Sequence, residues 1–418
     1  MSSFLPPNLD TLNIIRQQFS ALNQHFGAKP VTFFDGPGGA QVPESVLASM
    51  TEYLGHFNSN LGGHYFSSQK TTALVQHARE AAQAMLNAES SGNIVFGANM
   101  TSLTFQLSRA ISRDWQAGDE VIVTALDHYS NVSSWQQAAD DKGAIVHQVR
   151  VDESDCSLDM AHFESLLNEK TKLVAVTFAS NTTGSIVDVA KVIELAHQHG
   201  AQVYVDAVHY APHHLIDVQQ LNCDFLACSA YKFFGPHLGI AYIGPQWLHT
   251  LKPYKVEPAT NIGPGRFETG TQSFEALAGF TATVEYLAQF GEPTDSLRSR
   301  LEQSYALYNK HESQLSEYFL KRLGDLEGAK LYGKTEFDSN LRTPTFAITF
   351  DNHSPEFIAK KLGEHNICVW NGHFYALGLV KQLGIEEQGV VRIGCMHYNS
   401  IEEIDLLFNV LEGIVRNN

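Results

Sequence analysis

From residue 31 onward the apolar positions fall into short, nearly unbroken runs separated by longer amphipathic stretches: "VTFF", "NIVF", "EVIVT", "AIVHQV", "KLVAVTF", "AQVYVD", "DFLACSA" and "GIAYI". Runs rich in Val, Ile and Phe without polar alternation predict strands covered on both faces, and so a largely parallel α/β sheet. Ahead of them, Leu12, Ile15, Phe19, Leu22 and Phe26 recur at three-four spacing between Asn8 and Gly27, which predicts one amphipathic helix. Residues 274–290 close the repeating layer, and "GEPTDS" (291–296) reads as a break. Beyond it come a long helical pattern from near Thr294, "PTFAITF", a helix after Ser354, "NICVW", "VVRIG" and a last helix from about Ser400, the pattern of a smaller α+β unit. The expected organisation is an N-terminal helix in 1–30 packing on the small domain, a large domain over 31–290 and a small C-terminal domain over 291–418.

Composition narrows the function classes. A formal charge of −17 with no basic stripe disfavours nucleic acid as a partner. No run of about 18 uncharged apolar residues marks a membrane span. The first 30 residues lack the pattern of a secretory leader, and the five cysteines form no CxxC pair, so reduced thiols and the cytoplasm are expected.

In an open α/β sheet, ligands bind at the carboxyl ends of the strands. Five of the predicted strands are followed there by polar groups. "GANMTS" (97–102) is a glycine turn opening a helix, whose amides together with Asn99, Thr101 or Ser102 suit an anion. Asp127-His128 follows "VIVTAL", Asn181 follows "LVAVTFAS", Asp206 precedes His209, and Ser229 precedes Lys232. Singly these are helix caps, turn residues or a snorkelling lysine. Jointly they meet the needs of pyridoxal phosphate: an anion cradle, a ring stacker, a partner for the ring hydroxyl, an acid for the pyridine nitrogen and an amine for the aldehyde. An apolar pocket would favour the neutral, nucleophilic form of Lys232.

With "FFDGPGGAQVP", "GGHYFSSQ", "DHYSNVSSW", "SNTTG", "DAVH", "SAYK", "RFETGT" and "RIGCMHYN" in order from Phe33 to Tyr398, the chain resembles the class V aminotransferases among the fold-type I pyridoxal phosphate enzymes, and within them the cysteine desulfurase and selenocysteine lyase branch. The resemblance implies a large domain with a mainly parallel seven-stranded sheet between helices and a smaller α+β C-terminal domain. It implies that Lys232 forms the Schiff base, His128 stacks on the ring, Asn181 meets the ring hydroxyl, Asp206 pairs with the pyridine nitrogen, and His209 lies on the hydroxyl side. Ser229 would contact the phosphate, with Ala98, Asn99, Thr101 and Tyr231 completing the cofactor site and Thr271 reaching the phosphate of a neighbouring subunit in a homodimer. Arg392 would bind the substrate carboxylate, with His64 and Asn181 beside it, and the substrate would be a small amino acid.

Three departures stand out. Tyr231 replaces the histidine common before the lysine, and Ala98-Asn99 replaces a threonine pair in the phosphate turn. In "NICVWNGHFYALG" (366–378), Tyr375 takes the position of the persulfide-forming cysteine and Trp370 that of an upstream arginine, while Cys368 lies seven residues before Tyr375. The expected activity is therefore cysteine desulfurase-like. A C–S lyase, another amino-acid lyase or an aminotransferase without the persulfide cysteine is the alternative, as is a catalytically idle scaffold. A dinucleotide site at "GPGGAQ" (36–41) fails because Gln41 replaces the third glycine. A metal site of Asp206, His209 and His213 is disfavoured by Pro212, which breaks their shared helical face.

Overall fold

The computed structural model describes residues 9–416. The apolar runs form a seven-stranded sheet: β1 (Ile94–Gly97), β2 (Glu120–Thr124), β3 (Ile145–Val149), β4 (Thr171–Thr177), β5 (Gln202–Asp206), β6 (Phe225–Ser229) and β7 (Gly239–Ile243). Their spatial order is β1-β7-β6-β5-β4-β2-β3. β2 to β6 run parallel, and β7 lies antiparallel between β6 and β1. Val174, Val203, Val205, Leu226 and Ile240 are almost completely buried, as strands covered by helices on both faces require. Apolar side chains pack above and below this sheet in two separate clusters.

"VTFF" departs from the expectation. Thr32–Phe33 pairs in parallel with Ile367–Cys368, outside the large sheet. "GPGG" follows as a tight 3-10 turn over Gly36–Gly38, and the strand–turn–helix of a dinucleotide fingerprint does not form.

A second, four-stranded sheet holds β8 (Ala329–Tyr332), β9 (Thr345–Phe350), β10 (Trp370–Gly372) and β11 (Val390–Gly394) in the order β8-β9-β11-β10. The helices Leu297–Gly324, Pro355–Gly363 and Ile401–Arg416 cover it through Leu315, Phe319, Ile358 and Leu407. Ser296 and Ser354 cap the first two by accepting the amides of Ser299 and Phe357.

The N-terminal helix is shorter than its periodicity predicts; it covers Leu9–Gln17, and Asn8 lies outside the described residues. A 3-10 turn over Ser20–Asn23 and a small hairpin pairing His25–Phe26 with Lys29–Pro30 replace its continuation. Phe19 is the cause: its ring is wedged edge-on among Phe234, Tyr286 and Tyr398, and the chain bends to seat it, leaving Phe26 exposed. Arg16 ties the helix to Glu403 at 2.9 Å and to the carbonyl of Tyr398 at 2.6 Å. Among the described residues no helix is long and apolar enough to cross a membrane.

Candidate active site

The carboxyl ends of β1, β2, β4, β5 and β6 converge on one cavity of 510 Å³. Lys232 enters it from a 3-10 turn that directly follows β6. Its Nζ donates to the carbonyl of Pro37 at 2.5 Å and lies 4.9 Å from the centre of the Tyr231 ring. Burial, reinforced by the positive Arg392 and opposed by Asp206, lowers its pKa to about 7. Near neutral pH a large fraction of this amine is therefore unprotonated.

Asp206 ends β5, one strand over. It is 4% exposed, and its Oδ1 accepts the Val208 amide at 2.9 Å. Burial pushes its carboxyl up to about 6 against that hydrogen bond and the Lys232 charge. Asp127, wholly buried beyond β2, accepts from Thr124 and Asn131 and is raised to about 8, mainly by burial.

The backbone amide of Ser130 donates to His128 Nδ1 at 3.0 Å. The neutral ring therefore carries its proton on Nε2. Burial, then Lys232 and Arg392, lower its pKa to about 4 and keep it neutral. His209, also on the wall, is held well below its usual range by burial first, and Thr345 and Thr343 hydroxyls lie 3.0 and 3.2 Å from its Nε2. Among the described residues Asp206, His209 and His213 form no metal-binding group: the His213 ring lies 5.7 Å from that of His209, but its Nδ1 pairs with Glu312 at 2.9 Å.

Asn181 uses both ends of its residue. Its Nδ2 donates to the carbonyl of Phe374 at 2.9 Å, and its backbone oxygen accepts Arg392 Nη1 at 2.8 Å. Its Oδ1 is buried without a hydrogen-bond partner among the described residues, an acceptor facing a polar cavity.

At the other end, Asn99 caps the helix Met100–Ile111 by accepting the Ser102 amide, and Ser229 Oγ accepts the Met100 amide at 2.9 Å. Side chains thus hold two of the first-turn amides, and Thr101 and Ser102 form the exposed rim. Tyr231 stacks on His237, ring centres 5.0 Å apart. His237 lines the same wall, a residue that the strand-end pattern does not point to; its place in the "GPHLG" turn just after Lys232 is the sequence signal for it.

Four expected residues do not line this cavity within one chain. Ala98 is exposed and does not line the cavity, and its neighbour Asn99 caps the helix. His64 is exposed in the loop before the helix Phe66–Leu86. Thr271 borders a separate cavity of 400 Å³ with Lys255 and Gln272. Arg392, on β11 and 5% exposed, stands behind Asn181 and reaches the site through it.

The "GHFYALG" segment closes this side. Phe374 and Tyr375 both have left-handed backbones, with φ of 52° and 58°. Tyr375, 68% exposed, places its ring 5.3 Å from that of His128. Cys368 faces a different cavity with Asp35 and Trp370, and burial, then Asp35, raises its thiol to about 11.

A profile described as aminotransferase class-V matches residues 32–407. Aminotransferase-like protein FGM3 of Gibberella zeae is 33% identical over 96% of this chain and 98% of its own. A probable cysteine desulfurase of Synechocystis is 30% identical over 96% of this chain and 95% of its own. The structure of a cysteine desulfurase from Thermococcus onnurineus NA1 superposes with a TM-score of 0.88 over the whole of both chains, at 26% identity.

Proposed function

The chain belongs to the class V aminotransferase family, and from that premise we propose that it is a pyridoxal-phosphate-dependent enzyme of cysteine desulfurase type that acts on a small amino acid and carries its cofactor on Lys232. The observation that carries this reading is the pair beyond β6 and at the end of β5, an amine with its pKa lowered to about 7 and a buried carboxyl in one cavity. The other walls fit the cofactor: a helix N-terminus with Ser229 for the phosphate, a neutral ring at His128, and an unpaired Asn181 acceptor for a ring substituent.

When bound, pyridoxal phosphate supplies an aldehyde for amines and a pyridine ring that draws electron density from the substrate α-carbon. Asp206 would hold a proton at the ring nitrogen. The uncharged His128 would lie against the ring without repelling a cation. Lys232 Nζ, when not bonded to the cofactor, would take or return a proton, a task that suits an amine with a pKa of about 7. Arg392 offers a planar guanidinium to the substrate carboxylate. Thr271, remote from Lys232 in its own chain, would serve the second site of a homodimer, and residues 31–290 would hold the cofactor while 291–418 bring Arg392 to the substrate.

Within this chemistry, a C–S lyase or aminotransferase outcome is favoured over persulfide transfer, because Tyr375 borders His128 where a thiol is expected and Cys368 opens to another cavity. Reduction of the reconstituted protein with borohydride followed by peptide mapping tests the assignment. The adduct is expected on Lys232; finding it on another lysine overturns the reading. A screen of cysteine, cystine, cysteine sulfinate, selenocysteine and alanine then identifies the reaction.

A further inference from the structure

Arg392 is buried on β11, yet among the described residues its guanidinium makes one hydrogen bond, from Nη1 to the Asn181 carbonyl at 2.8 Å. One bond in the guanidinium plane fixes one edge and leaves rotation about the long side chain open. The faces of the plane supply what the edge lacks. The Phe374 ring lies 4.0 Å from Arg392 Cζ. On the turn of Gly36–Gly38, a Cβ built on Gly38 would stand 3.6 Å from Nη2 and 2.8 Å from Trp370 Nε1, so bare backbone approaches there.

Phe374 is itself tied down at cost. Two successive non-glycine residues in the left-handed region carry about 1–2 kcal/mol of strain each. Several contacts keep them there. The Phe374 carbonyl accepts Asn181 Nδ2 at 2.9 Å, and the Tyr375 carbonyl accepts the Tyr129 amide at 2.7 Å. The Tyr375 amide donates to His373 Nδ1 at 3.1 Å, and the Ala376 amide to the His373 carbonyl at 2.8 Å. Arg392, Asn181 and Phe374 thus close a triangle: Arg392 to the Asn181 backbone, Asn181 side chain to the Phe374 backbone, Phe374 ring to Arg392.

We propose that Phe374 is a positioning residue for substrate recognition, whose ring fixes the plane of the Arg392 guanidinium so that its free edge meets the substrate carboxylate. The inference rests on the reading of Arg392 as the carboxylate arm. A ring stacked on a cation in a desolvated site contributes enough to change affinity roughly tenfold. The strained backbone serves this end, because it aims a side chain that an ordinary turn would direct elsewhere.

The test compares L-alanine with L-alaninamide, which lacks the carboxylate, on the cofactor-loaded enzyme, with binding followed by the change in cofactor absorbance. The wild type is expected to prefer L-alanine. Phe374→Leu should weaken L-alanine about tenfold and L-alaninamide less than about twofold, with the cofactor spectrum of the free enzyme unchanged, and with the loss in KM rather than kcat for the substrate found by the screen. Phe374→Tyr, which keeps the ring, should restore L-alanine affinity. Equal weakening of both ligands, or a tyrosine variant as weak as the leucine one, overturns the inference. If Arg392→Ala abolishes the preference for L-alanine and Phe374→Leu preserves it, the carboxylate reading of Arg392 stands and the role of Phe374 falls. If Arg392→Ala preserves the preference, both fall.

Discussion

Lys232, in the turn after β6, and Asp206, at the end of neighbouring β5, face one cavity and are driven by the same burial in opposite directions, the amine down to about 7 and the carboxyl up to about 6. Each charge restrains the shift of the other, so the pair stays polar and titrates close to neutrality. Under the proposed function, a cofactor bringing an aldehyde to one and a basic nitrogen to the other would relieve both.

Cofactor capture by the apo-protein should follow the Lys232 amine. Below its pKa the amine is protonated and cannot attack; above it the nucleophile is fully formed. The capture rate is therefore expected to rise from pH 6, pass its midpoint near 7 and level off, whereas an ordinary lysine would keep rising toward pH ~10. Stopped-flow absorbance on mixing with pyridoxal phosphate measures it. A rate still climbing steeply between pH 8 and 10 would contradict the lowered pKa.

Asp206→Asn keeps the shape of the side chain and removes its charge. Because burial raises this carboxyl to about 6, its ionisation costs the folded state stability near pH 7, so removing the charge should leave thermal stability there equal or higher. Turnover should fall by roughly a hundredfold or more with the cofactor still bound, since amide cannot hold the ring proton as carboxylate does. The check is kcat measured beside cofactor occupancy; full turnover at full occupancy would remove Asp206 from the chemistry.

Much of this site was legible because the sequence places Asn99, His128, Asn181, Asp206 and Lys232 after five apolar runs, and a parallel sheet carries such residues to one edge. What a linear pattern cannot carry is contact between distant segments. The three-four spacing of Leu12 to Phe26 has the period of a helix, but Phe19 is more stable wedged among Phe234, Tyr286 and Tyr398, and tertiary burial overrides the period. "NICVW" has the composition of one strand yet divides between Thr32–Phe33 and β11, where Trp370 lies opposite Arg392, pairings between segments far apart in sequence. The Phe374 ring on Arg392 joins residues eighteen apart in sequence through a backbone conformation that its residue types disfavour.

Glu268 should matter for stability. Its Oε2 pairs with Arg79 at 2.7 Å and its Oε1 accepts the Phe96 amide at 2.9 Å, with both side chains mostly buried. Glu268→Ala leaves the Arg79 charge and a strand amide unpaired, a loss of about 3 kcal/mol. Urea unfolding should show the midpoint shift, and Glu268→Gln, which keeps an acceptor for Phe96, should lose less. Equal losses in the two variants would show that the Phe96 bond contributes nothing.

The sharpest prediction concerns sulfur. Persulfide transfer requires a thiolate at the substrate sulfur, and the residue beside His128 on this side of the cavity is Tyr375, whose phenol is a poor sulfur acceptor. Cys368 does not compensate: it is held in the parallel pair with Phe33, opens to a cavity with Asp35 and Trp370, and its thiol is pushed up to about 11. Incubation with L-cysteine should therefore leave the chain free of persulfide at catalytic rates, and any sulfur released should leave as sulfide by elimination. Intact-mass and peptide analysis would detect the modification. Tyr375→Cys puts a thiol on the exposed, left-handed loop position next to His128 and should acquire a persulfide there. A persulfide on wild-type Cys368 at the rate of turnover would mean that the loop and its strand rearrange in the working enzyme, and the chain would then be a desulfurase with a relocated acceptor.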